Sequence, residues 1–531
     1  MSRILLTGIA TFMVAATAPA LRASGGAVLL DSGRVSGVAG KDPSVRVYKG
    51  IPYAAPPVGD LRWREPQPVK AWAGVRTADV FGARCLGRFP GAGQPAAVSE
   101  DCLYLNVWTP AALRDDRWPV FVWIHGGGFQ GGSGSEPIFD GEALARAGVI
   151  VVTFNYRTGV FGFLAHAELT RESPHHSSGN YGLLDQVAAL EWVRRNIAAF
   201  GGDPARVTIA GESAGSYSVS ALTASPLASG LFRQAIAESG GYFMPKPDAM
   251  RTLGAAEKIG ADFASALGAG GLADLRRRTA DELMKAVAGM HDFFAFQPGI
   301  DGRFLREPVY ATYARGAQAK VPLLLGSNTD EGAFLIPEQR PSVQEFEARL
   351  ERTFGSRTSQ VRQLYPVDTP GALTRSELDL SGDGEFNYPM WKWAVMQRQA
   401  GLPVYYYLFG RTVPPAPGQR YRGIPRAEIG ALHGDEVPYV FGTLDKVSNT
   451  LDGSKRTWEK TDRDLSAAML GYWANFVKTG DPNGSGLPAW PRYEAETHDP
   501  LMRFDTAPQA MPDHRTARMR TLDAAFQPRH P

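Results

Sequence analysis

Apolar runs that end in glycine alternate with helical periodicity along the middle of the chain. PVFVWIH, from Pro119 to His125, and VIVVTFNY, from Val149 to Tyr156, are continuously apolar, the pattern of strands covered on both faces. Leu183, Leu184, Val187, Leu190, Val193 and Ile197 then recur at helical spacing, with Gly201 and Gly202 where the helix must stop. RVTIAG, from Arg206 to Gly211, follows as a third buried strand. Strand, helix and strand in alternation predict parallel pairing through crossover helices, hence an α/β sheet covered on both faces. AIAESG from Ala235, VPLLLGS from Val321 and PVYYYLFG from Pro403 are further strands, and Leu465, Met469, Tyr472, Trp473 and Phe476 mark a late amphipathic helix. The Ala-, Leu- and Arg-rich stretch from Ala249 to Ala288 reads as a helical insertion.

Composition narrows the class. With 44% hydrophobic and 21% charged residues over 531 positions, the chain can bury a large core, and disorder is excluded. The formal charge is only +2 and no basic block exists, so no nucleic-acid partner is expected. Arg3 precedes an uncharged stretch ending in the small-x-small site Ala18, Pro19, Ala20. This predicts a signal peptide over 1–20, a single domain over 21–531, and an exported chain without stable membrane insertion after cleavage. The two cysteines, Cys85 and Cys102, would then pair as a disulfide, two buried thiols being the alternative. Nothing in the pattern speaks to oligomeric state.

The chemistry centres on Gly211, Glu212, Ser213, Ala214 and Gly215, a Gly-x-Ser-x-Gly element between a strand and Ala-rich helical sequence. Glycine and serine are common here, so the element counts only because of that context. A strand-to-helix turn this tight needs small neighbours and lifts the serine hydroxyl above the sheet. Serine requires a base, and the base requires an acid that fixes its tautomer. Of nine histidines, His433 stands in a Gly- and Pro-bearing loop after the PVYYYLFG strand, downstream of the serine as this arrangement requires. The acid should follow a strand between the two, where Asp330 and Glu331 are both placed. HGGGF, from His125 to Phe129, offers amides without Cβ obstruction, so Gly127, Gly128 and the amide of Ala214 are the expected oxyanion donors. A phosphate loop would need a Lys-Ser/Thr ending, which is missing. His175 and His176 lack an evident third ligand, and neither metal nor organic cofactor is expected.

These residues resemble the type-B carboxylesterase family, which is cholinesterase-like and includes bacterial para-nitrobenzyl-esterase-like members. FGGDPARVTIAGESAG, from Phe200, is similar to its serine signature, and SEDCLYLNVW, from Ser99, to its cysteine signature. KGIPYAAPPVGDLRW from Lys49, NYRTGVFGFL from Asn155, NYGLLDQVAALEWVRRNIAAF from Asn180 and YWANFVKTGDPN from Tyr472 extend the likeness over nearly the whole mature chain. The resemblance implies the α/β-hydrolase fold and hydrolysis of small-molecule carboxylic esters through Ser213, His433 and Glu331, favouring Glu331 over Asp330. It also implies that Ser239 supports the acid, that Glu212 acts electrostatically, and that Arg62–Glu100 and Arg157–Asp185 are structural ion pairs. Between Cys85 and Cys102 no tryptophan stands to hold quaternary ammonium, so choline esters are not favoured. Phe293, Phe294, Phe296 and Phe334 are candidates for an aromatic-lined pocket, although core packing would explain several of them. His433 is expected to titrate near neutrality. Alternatives are a catalytically inactive binding protein, or a hydrolase whose natural bond is an amide or carbamate.

Overall fold

The computed structural model describes residues 26–89, 97–111, 117–244, 250–412, 417–447, 457–494 and 499–526, so the signal-like segment lies outside the described residues. The central sheet has 11 strands. In chain order they are β1 (Val38–Ala39), β2 (Val45–Pro52), β3 (Tyr104–Pro110), β4 (Trp118–Ile124), β5 (Ile150–Phe154), β6 (Gly202–Glu212), β7 (Gln234–Glu238), β8 (Leu323–Asn328), β9 (Val404–Phe409), β10 (Pro500–Phe504) and β11 (Pro508–Pro512). Across the sheet they run β11-β10-β9-β8-β7-β6-β4-β5-β3-β2-β1. Pairing is parallel from β5 to β10 and antiparallel at the two ends.

The six apolar runs are therefore the parallel centre of the sheet. Alternate residues of β4 face opposite ways: Val120, Val122 and Ile124 join one core, Phe121 and Trp123 the other. Helices α1 (Tyr181–Asn196) and α2 (Ala214–Ala224) cover the first face. The second is covered by α5 (Lys460–Thr479), through Leu465, Met469, Tyr472, Trp473 and Phe476. Helix α1 tightens into a 3-10 turn over Ile197–Phe200 and stops at Gly201, whose φ of 83° is the left-handed conformation that ends helices. The insertion after Ala249 is helical as expected, in three pieces: Leu253–Ala266, Leu272–Arg277 and Ala280–Ala288.

Register decides where chemistry can occur. Ile124 lies opposite Phe154 and Gly211, Glu212 opposite Glu238, and Glu238 opposite Gly326. The strand ends thus share one edge, and the residues just after them, His125, Ser213, Ser239 and Glu331, emerge together there. The sheet is thus mostly parallel, with antiparallel pairing confined to β1, β2 and β3 at one flank and to β11 at the other. A helix over Pro370–Gly382 (α3) also continues through a π-helical turn, Asp383–Asn387, into a further helix, Tyr388–Gln399 (α4), beside that edge.

Cys85 and Cys102 form a disulfide. Arg62 and Glu100 pair through two hydrogen bonds, of 2.6 and 2.5 Å. Arg157 is fully enclosed with Asp185, donating from Nε at 2.8 Å and from Nη2 at 2.7 Å, and thereby fixes the chain leaving β5 to helix α1. A buried guanidinium stripped of its carboxylate keeps its desolvation cost. Asp185→Asn is accordingly expected to lower stability by about 3–5 kcal/mol in chemical denaturation, and a loss below about 1 kcal/mol would mean that Arg157 finds other compensation.

Candidate active site

Glycine packing forces the turn at Ser213. A Cβ on Gly215 would lie 1.9 Å from the Ile124 carbonyl oxygen, and one on Gly211 would lie 2.5 Å from the Gly215 backbone. Strand β6 and helix α2 can approach β4 this closely only without side chains at both positions. The serine between them takes φ 55°, ψ −124°, a conformation that L-residues seldom adopt. It stays partly exposed while its neighbours Glu212 and Ala214 are buried. Its amide donates to the Glu238 carbonyl at 2.9 Å, tying the turn to the neighbouring strand.

The glycine loop after β4 runs beside this turn. A Cβ on Gly126 would come within 3.1 Å of the Ser213 Cβ, and Gly127 and Gly128 have φ of 102° and 61°. Among the described residues no protein acceptor takes the amides of Gly127 and Gly128. Ala214 opens α2, so its amide is one of the first-turn donors a helix leaves unpaired. His125 itself is structural: its ring stacks on Tyr156 at 4.3 Å, and burial pulls its pKa down to about 4.

His433 reaches the same edge from the loop after β9. Its Nδ1 lies 2.6 Å from Glu331 Oε2, and Ser239 Oγ donates to the other carboxylate oxygen at 2.5 Å. The Asn328 amide also donates to Glu331, at 2.5 Å. Asp330 faces away, accepting from Arg375 and from the Gly430 amide, so it holds the loop and leaves His433 to Glu331. The second imidazole nitrogen, Nε2, lies 3.2 Å from Glu212 Oε1 rather than on the serine hydroxyl.

Carboxylates therefore bracket the imidazole. Burial alone would lower its pKa, but the charges of Glu212 and Glu331, the Glu331 hydrogen bond and the charge of Glu385 outweigh it and push the ring up to about 9. The expectation of titration near neutrality is thus corrected upward. Glu212 is raised by its own burial, against the attraction of His433. It is more than a turn residue, since its side chain touches His433 directly. Behind it, Glu238 accepts from Trp473 Nε1 at 2.8 Å and Glu436 from Asn328 Nδ2 at 2.5 Å, and burial raises the pKa of both.

Aromatic rings rim the opening. Phe294 is 40% exposed and its ring passes 3.1 Å from where a Gly128 Cβ would stand, with Phe89 also within 4 Å. Phe334 stacks against the His433 ring at 5.1 Å. Phe296 does not face the opening: it is 2% exposed, edge-on to Phe263, and its carbonyl accepts from Gln130. The FFAF stretch thus passes from the rim at Phe293 and Phe294 into the core at Ala295 and Phe296. Residues that the sequence reading passed over are Glu385 and Phe386 on the π-helical turn, the latter 4.5 Å from the His433 ring, and Tyr217 and Tyr242. Glu436, only three residues beyond His433, was the one within reach of a closer reading.

The mostly parallel sheet and the tight serine turn at its edge are those of the α/β-hydrolase fold, and the family and relatives below make the chain a carboxylic-ester hydrolase. Residues 19–522 match the Carboxylesterase family, and the chain belongs to it. It is 40% identical over 500 residues to the fumonisin B1 esterase of Sphingopyxis macrogoltabida, covering 91% of this chain and 88% of that one. It is 38% identical to the para-nitrobenzyl esterase of Bacillus subtilis (strain 168), covering 88% and 93%. A solved para-nitrobenzyl esterase structure superposes with a TM-score of 0.81 at 35% identity, over 95% of this chain and all of that one.

Removing the negative charge on Glu212 destabilises the imidazolium. Glu212→Gln is expected to lower the His433 pKa by about one unit or more, read by NMR of histidine-labelled protein. An unmoved titration would show that Glu212 carries no charge beside the ring.

Proposed function

We propose that this chain is an exported serine esterase in which Ser213 is the nucleophile, His433 the general base and Glu331 the acid that orients it. The observation that supports this most is the 2.6 Å contact of His433 Nδ1 with Glu331, beside the strained serine turn. Neutral His433 takes the hydroxyl proton as Ser213 attacks the ester carbonyl. The amides of Gly127, Gly128 and Ala214 receive the developing oxyanion. His433 then returns the proton to the departing alcohol, and water enters by the same base to release the acid. Glu212 and Ser213 are neighbours, so Nε2 passes from one to the other by a small movement of the ring, and Ser239 holds Glu331 meanwhile.

Export rests on the signal-like start and the disulfide, with the single domain spanning 21–531; among the described residues no helix is long and apolar enough to cross a membrane. The two relatives are named for different esters.

Ser213→Ala is expected to cut kcat by about a millionfold and to abolish labelling by a fluorophosphonate probe. A variant keeping a tenth of the activity would overturn the assignment. Only the neutral imidazole accepts the proton, so kcat/KM should rise with pH and its limb should lie above the ordinary histidine range, displaced by Glu212 and Glu331. A profile flat from acid to mildly alkaline pH would remove His433 from the mechanism.

A further inference from the structure

Glu385 occupies the middle of the π-helical turn between α3 and α4. Such turns insert an extra residue into a helix and often mark functional positions. Here both ends of the turn are fastened. Asp383 accepts from Tyr365 at 3.0 Å and from Arg518 Nε at 2.6 Å, and Asn387 accepts from Ser327 at 2.9 Å. Phe386 packs on the His433 ring. The residue left to bulge outward is Glu385, which is exposed.

Its surroundings identify the opening above the nucleophile. Tyr217, one helical turn beyond Ser213, donates its hydroxyl to the Glu385 carbonyl at 2.8 Å and to Oε1 at 3.1 Å. Tyr242 lies edge-on to Tyr217 at 4.8 Å, and Phe334 is 6.0 Å from Phe386. Among the described residues no lysine or arginine pairs with Glu385, and its Oε2 has no protein donor. The largest charge effects on His433 itself come from acidic groups, Glu212, Glu331 and Glu385. An open carboxylate framed by tyrosine and phenylalanine, within an anionic field, favours a cation.

We infer that Glu385 is a specificity-determining residue that receives an ammonium group carried by the ester substrate. This reading rests on Ser213 as nucleophile. The ammonium would place its N–H groups on Glu385 Oε2 and its carbon neighbours against Tyr217 and Tyr242. The position belongs to the α3–α4 turn and is separate from the Cys85–Cys102 loop, where no tryptophan stands for a quaternary ammonium.

The test uses two pairs of esters that differ in charge at nearly constant size. In one, p-(aminomethyl)phenyl butyrate is compared with p-ethylphenyl butyrate; in the other, p-nitrophenyl 4-(aminomethyl)benzoate is compared with p-nitrophenyl 4-ethylbenzoate. At neutral pH the wild-type enzyme should prefer the amine in at least one pair by about tenfold in kcat/KM, through KM. Glu385→Gln should bring that ratio close to one, and Glu385→Asp should keep part of it. A wild-type ratio near one in both pairs would overturn the inference, as would a ratio unchanged in Glu385→Gln. Equal loss on both members of a pair, with a displaced pH profile, would also overturn it, because Glu385 would then act only through His433. Ser213→Ala, assayed on the same esters, tests the underlying reading separately: it should abolish turnover of all four, and retained turnover would indict the nucleophile rather than Glu385.

Discussion

The constraint on which the serine turn depends is the approach of helix α2 to the end of strand β4. At Gly215 the gap to the Ile124 carbonyl admits a hydrogen and nothing larger. That contact sets the angle at which the chain leaves β6, hence the unusual backbone at Ser213, hence a hydroxyl raised off the sheet toward the glycine loop. The same β4 end supplies the loop, since Gly126 to Gly128 follow Ile124 directly. One backbone approach thus brings the hydroxyl and the unpaired amides together, and the parallel register places Ser239 and Glu331 on the adjoining strand ends.

Electrostatics builds on that geometry. Burying several carboxylates near one imidazole is costly unless each is hydrogen-bonded or protonated. Glu331 is ringed by donors from Ser239, Asn328 and His433. Glu238 and Glu436 have fewer donors and rise in pKa. Glu212 lies between these cases, and its contact with Nε2 makes the protonation of Glu212 and His433 interdependent.

The sequence announced the parts of the fold that are buried on both sides, because uninterrupted apolar runs such as VFVWI and IVVTF can settle nowhere else. It was less informative about β2, where Arg46 and Lys49 interrupt the apolar pattern, and about the Pro-bearing hairpin of β10 and β11. Strands β2 and β10 are held in the sheet by β3 and β9, which are distant in sequence. Ser213, His433 and the glycine loop were legible because tight turns demand particular residues. Choosing between Asp330 and Glu331 was not legible from position; it depends on which of two adjacent carboxylates the arginine at 375 draws away. Glu385 was hidden for a related reason: a π-helical turn has no periodic signature, and tertiary packing creates it.

The disulfide ties strand β3 to the segment running from Cys85 to Phe89, which lies along Gln130 and Gly131. None of the hydrogen bonds around His433 or Glu331 involves either cysteine, so the bridge bears on the Phe89 segment and not directly on those side chains. A polypeptide matured in a thiol-rich cytoplasm would therefore differ from its oxidised twin in how firmly Phe89 stands at the threshold. Selectivity among bulky esters, more than turnover of small ones, becomes the trait that records where the molecule was made.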